Sequence, residues 1–185
     1  MKKTLSFLFV FLLFSSITFS QNTGISLGAQ AGIAIPMGDF GDGYKMGFGG
    51  QGNFAYKINP MLNVTGSIGY LTWSGKEADF TFSSVPVMVG ARYSFGKGKF
   101  NPYAAGELGL HFSSFSVPEV VIPGFGTIGG GSASSTDFGI AVGLGFLYQL
   151  GPKLDLDVNA KFNNIFGDGS STNFISIMAG VLVAL

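Results

Sequence analysis

Strict period-two alternation, sustained from Ser84 to Ser113 around one short turn, constrains this chain more than any other feature. In the first run Val85, Val87, Val89, Ala91, Tyr93 and Phe95 share one face, and Ser84, Met88, Gly90, Arg92 and Ser94 share the other. In the second, Ala104, Gly106, Leu108, Leu110 and Phe112 alternate with Tyr103, Ala105, Glu107, Gly109, His111 and Ser113. Successive side chains of a strand point to opposite faces, so the stretch is a hairpin with one apolar and one polar face.

The same pattern recurs along the chain. Alternating strands are expected at Ile25 to Ile35, Met46 to Tyr56, Leu62 to Trp73, across the central hairpin, and at Thr136 to Leu150, Leu154 to Asn163 and Asn173 to Leu185. That makes eight. Their connections alternate in length: short at 57–61, 96–99 and 151–153, longer at 36–45, 74–79, 114–135 and 167–172. Strands that reach the ~9–11 residues needed to cross hydrocarbon, joined by short turns on one side and long loops on the other, describe a transmembrane barrel. An even strand number puts both termini on the periplasmic side, and the last strand must close on the first because lipid satisfies no free sheet edge. The expected fold is all-β, an eight-stranded antiparallel up-and-down transmembrane β-barrel over residues 21–185.

Composition agrees. Only 11% of residues are charged, against about 25% in an ordinary soluble domain. A secreted soluble barrel would put Lys and Glu on its wet face. Here the polar face is mostly Gly, Ser, Ala, Asn and Gln, as suits a narrow packed lumen, and aromatics mark both ends of the apolar face. Tyr56, Phe95 and Tyr148 stand at one end, Phe48, Tyr70, Phe112 and Phe138 at the other.

The N-terminus is different. Lys2 and Lys3 precede an apolar core from Leu5 to Leu13, and small Thr18 and Ser20 sit just before Gln21. Residues 1–20 therefore read as a cleaved signal peptide that exports the chain. Cleavage removes two of the 10 basic residues and none of the 10 acidic ones, leaving no footprint for nucleic acid. The chain has no Cys, so its stability does not rest on disulfides.

These features resemble the small outer-membrane β-barrel domains of Gram-negative bacteria, the superfamily of OmpX, the OmpA transmembrane domain and the opacity-type proteins. The resemblance spans Gln21 to Leu185 and is carried by the export signal, the strand spacing and segments such as Pro102-Tyr103-Ala104-Ala105-Gly106-Glu107-Leu108-Gly109. The terminal strand, with Gly180, Val181 and Val183, resembles the signal read by the barrel-assembly machinery, although it ends on Leu185 where an aromatic is usual. The resemblance implies an outer-membrane location, lipid and lipopolysaccharide as surroundings, and a structural or surface-interaction role.

Several constellations of residues bear on chemistry. Arg92, Glu107, Asp155, Asp157 and Lys161 lie on the polar face and are expected to form an ion-pair network in the lumen, since unpaired charges there are costly. Arg92 and Glu107 are expected to pair if the turn extends through Pro102. His111, Ser113 and Asp137 are the weakly supported candidates for a catalytic triad of the lipid A deacylase kind, with a histidine base beside a serine nucleophile. The strand phase, however, points His111 into the lumen. Gly47, Gly49 and Gly52 imitate a dinucleotide fingerprint without the helix it requires. Asp39 and Asp42 are too few carboxylates for calcium and read as a solvated loop. No cofactor, metal or catalytic residue is expected. Loop 114–135, with Val120, Ile122 and Phe125 unusually apolar, is the prime candidate for contact with an extracellular ligand, or for a protruding hairpin. A narrow passive pore for small solutes is the alternative function, and a lipid A-modifying hydrolase the remote one.

Overall fold

The computed structural model describes residues 24–77, 80–96, 98–122, 126–167 and 170–185, with backbone alone at 118–122, 126–129 and 170. The export segment 1–20 and Phe125 lie outside the described residues, as do the side chains of Val120 and Ile122.

Eight strands follow one another around a closed barrel, each antiparallel to the next. They are β1 (Ile25–Met37), β2 (Gly47–Lys57), β3 (Leu62–Ser74), β4 (Thr81–Ser94), β5 (Phe100–Ile122), β6 (Gly126–Gly151), β7 (Leu154–Gly167) and β8 (Ser170–Ala184). β1 pairs with β8 from Ser26↔Ala184 to Met37↔Asn173, so no edge is left over the membrane span. Following partners once round from Ser26, through Ala55, Thr65, Gly90, Glu107, Ala141, Asn163 and Phe174, returns to Pro36, ten residues further along β1. That stagger obliges the strands to tilt, about 35–45° in barrels of this kind.

The faces fall as the alternation dictates. Val87, Val89, Leu108, Val142 and Leu144 are exposed on the outer wall, while Met88, Arg92, Tyr103, His111, Asp157 and Lys161 are buried inside. The interior is packed by a recurring device in which a large inward side chain leans over a glycine directly across the ladder. Tyr103 leans over Gly145, Trp73 over Gly47 and Lys161 over Gly143. A Cβ at Gly145 would stand 2.5 Å from the Tyr103 ring, so only glycine admits the aromatic there.

The structure corrects two expectations about the connections. Segment 36–45 is not merely a solvated loop, because Asp39–Gly43 forms one helical turn, α1, whose Phe40 is buried. Segment 114–135 is not a loop but the outer half of β5 and β6, which run 23 and 26 residues and stay paired to Ile122↔Gly126. β4 accompanies β5 only as far as Ser116, and β7 accompanies β6 only from Phe138. Beyond those residues the hairpin projects from the rim with neither neighbour.

Candidate functional site

The lumen is filled in layers. Nearest the short turns, a cavity of about 230 Å³ opens between Lys57, Asn63, Arg92, Ser94, Asn101 and Asp155. Its floor is a tight cluster. Arg92 Nη2 meets Asp157 Oδ2 at 2.9 Å, Tyr103 donates its hydroxyl to Asp157 Oδ1 at 2.6 Å, and the Arg92 guanidinium lies 4.4 Å over the Tyr103 ring. Gln30 Nε2 donates to the Asp157 carbonyl at 3.3 Å, while its Oε1 accepts from Gln51 and Asn53 at 2.8 and 2.9 Å. The two charges of this floor are thus paired with each other, as burial demands, although the Arg92 Nε has no hydrogen-bond partner among the described residues.

A second pair stands above it, with Lys161 Nζ donating to Glu107 Oε1 at 2.6 Å. The Arg92–Glu107 pair expected from the hairpin is not formed. Arg92 sits opposite Ala105, one inward position short of Glu107, and each charge instead reaches across the lumen to β7. Among the described residues Asp155 makes no salt bridge or hydrogen bond, but it lies close enough to Arg92 and Asp157 to feel both charges. A cavity of about 20 Å³, little more than one water in size, separates this layer from His111.

His111 is buried, and its Nδ1 lies 3.2 Å from Ser84 Oγ. Asp137 is its cross-strand neighbour but accepts a hydrogen bond from Ser135 at 2.6 Å. Ser113 Oγ and His111 Nε2 have no partner. The three candidate residues are therefore near one another but not linked as nucleophile, base and orienter, and His111 faces the lumen, not the lipid.

The outer mouth departs from the polar lumen that was expected. Ala34, Phe40, Leu71, Trp73, Ile165, Phe174 and Met178 form one buried apolar cluster. Trp73 packs against Phe174 and Phe40 at centroid distances of 5.1 and 5.4 Å, and donates its indole N–H to the Ala34 carbonyl at 3.0 Å. Lys76 Nζ donates to the Gly41 carbonyl at 2.6 Å and holds α1 in place. Sequence reasoning missed Gln30, Tyr103, Ser84 and Trp73, all of which are visible in the inward phase of their strands.

A closed eight-stranded barrel, apolar outside and filled inside, is the geometry; the family follows from the sequence match. The family model described as "Outer membrane protein beta-barrel domain" matches residues 6–181. The chain belongs to that family. As an outer-membrane barrel it is similar to Neisserial surface protein A (NspA), at 24% identity and TM-score 0.67 over 90% of this chain and 100% of that one. It is also similar to Ail, the attachment invasion locus protein of Yersinia pestis, solved with the heparin analogue sucrose octasulfate, at 21% identity and TM-score 0.53 over 85% and 95% of the two chains. A third similar structure is the outer membrane enzyme PagL, at 17% identity and TM-score 0.51 over 86% and 99%. At these identities the likeness is one of fold. A search of curated proteins finds no significant match.

Proposed function

We propose that this outer-membrane barrel is a non-catalytic scaffold for surface interaction, exported by residues 1–20, inserted by the barrel-assembly machinery among lipid and lipopolysaccharide, and making its contacts through the β5–β6 hairpin. The observation that carries this reading is the hairpin's projection beyond both neighbouring strands, with residues 130–136 exposed on either face. Its two edges carry unpaired backbone donors and acceptors, and small residues such as Ser132, Ala133 and Ser134 leave them accessible. Between Ser114 and Thr136 the only charge is Glu119, so a sulfated polyanion of the kind seen with Ail would find no cation there. Protease added to intact cells should cut within 117–136 while leaving the barrel whole. Complete protection in cells stripped of partners would sink the reading.

The alternative, a narrow passive pore, draws support from the cavity at the inner end. It requires the Arg92–Asp157 floor and the Phe40 cluster to move aside. Planar-bilayer recordings without discrete conductance would remove it. For the hydrolase reading, unchanged lipid A on overexpression of the chain and of its His111→Ala variant is the expected result.

A further inference from the structure

The charges inside the barrel divide into two kinds. Arg92 with Asp157, and Lys161 with Glu107, are matched pairs deep in the lumen. Lys57, exposed at the rim, and Asp155, half-buried beside Arg92 and Asp157, share the inward phase of their strands, but neither makes a hydrogen bond or salt bridge among the described residues. Both line the same cavity of about 230 Å³ at the end bearing the short turns, which is the periplasmic end in barrels of this kind. Asn63, Ser94 and Asn101 also line it.

A recess lined by groups of opposite sign on separate strands, β2 and β7, neither held in a salt bridge, is complementary to a molecule carrying both signs. We propose that this vestibule binds small zwitterions of the amino-carboxylate class, amino acids or short peptides, presented from the periplasm. Lys57 pairs with the carboxylate, Asp155 pairs with the ammonium, and the neutral polar groups of Asn63, Ser94 and Asn101 hydrogen-bond the body between them. A volume of about 230 Å³ is more than ten times that of the one-water cavity above it, enough for a dipeptide. The Arg92–Asp157 floor closes the recess toward the outside with its salt bridge made, so recognition falls to Lys57 and Asp155. The site lies on the opposite side of the membrane from the hairpin, and its failure would leave the surface-interaction reading untouched.

The test is titration of the full mature barrel, labelled with ¹⁵N in lipid nanodiscs, with L-alanyl-L-alanine, its N-acetyl derivative and its C-terminal amide. Saturable shifts confined to residues at the periplasmic end are expected with the dipeptide, and binding about fivefold weaker with either derivative, each having lost one ion pair near solvent. In D155N the preference over the N-acetyl derivative should vanish while that over the amide persists, and in K57Q the reverse. Both residues are unpaired, so both variants should retain the heat-shifted gel mobility of a folded barrel. Absence of saturable shifts up to about 50 mM, a weaker interaction than any specific site gives, would overturn the proposal. Equal binding of all three probes would do so too, as would loss of the same preference in both variants.

Discussion

At the residue scale, the lumen is governed by which partner each buried group finds. Asp157 accepts from Arg92 and Tyr103 at once, so Asp157→Asn leaves a guanidinium buried without its counter-charge. A loss of about 3 kcal/mol or more is expected in urea unfolding followed by tryptophan fluorescence, whereas Tyr103→Phe, which removes one hydrogen bond, should cost about 1–2 kcal/mol. Glycines divide in the same way. Gly145→Ala drives a methyl into the Tyr103 ring and should cost about 1–3 kcal/mol, while Gly106→Ala, which meets open space on the outer wall, should be close to neutral. The inward position of Arg92, Asp157, Lys161 and Glu107 was legible in the alternation. The pairing was not, because Arg92 and Asp157 are 65 positions apart and meet only once the ring of strands has closed. Adjacent strands suggested Glu107, and the curvature of the wall supplied β7 instead.

At the element scale, the hairpin and α1 depart from the regular cylinder in opposite senses, one outward and one inward. Ser116 and Ser132 are cross-strand partners, so the projecting part of the hairpin can be replaced between them by a two-residue Asn-Gly turn. The shortened barrel should keep its heat-modifiable gel mobility and its unfolding midpoint, because neither β4 nor β7 touches what is removed. A collapse of assembly would mean the hairpin is needed to fold. Phe40→Ala should act locally, raising amide exchange over residues 38–46 while the β1–β8 ladder stays protected, since the ring is what anchors α1 in the aromatic cluster. Strand phase was readable throughout, but α1 was not. Five residues without an apolar stripe give no helical period, and Phe40 is buried only because Trp73, Phe82 and Phe174 converge from other strands.

At the scale of the whole molecule, the outer wall and the interior exchange the roles they have in a soluble barrel. Spin labels at Val87, Leu108 and Val142 should report contact with acyl chains, and one at the lumen-facing Met88 should not, if it is tolerated at all. Labels at the first three positions that sense bulk water would contradict the membrane assignment. This inversion was the most legible property of the chain, since eight runs of alternation and a charge-poor composition both require it. The aromatic closure of the outer mouth was hidden because its residues sit at the ends of runs whose inward phase is otherwise polar.

The β1–β8 seam carries a consequence for biogenesis. Its partners, Ser26 with Ala184 through Met37 with Asn173, come from the first and last strands of the barrel. Nothing can zip that seam until both β1 and β8 are present, and until then both strands offer an unpaired backbone edge. Contacts so distant along the chain also form slowly. The ring therefore stays open until β8 is paired, whatever order the hairpins between take.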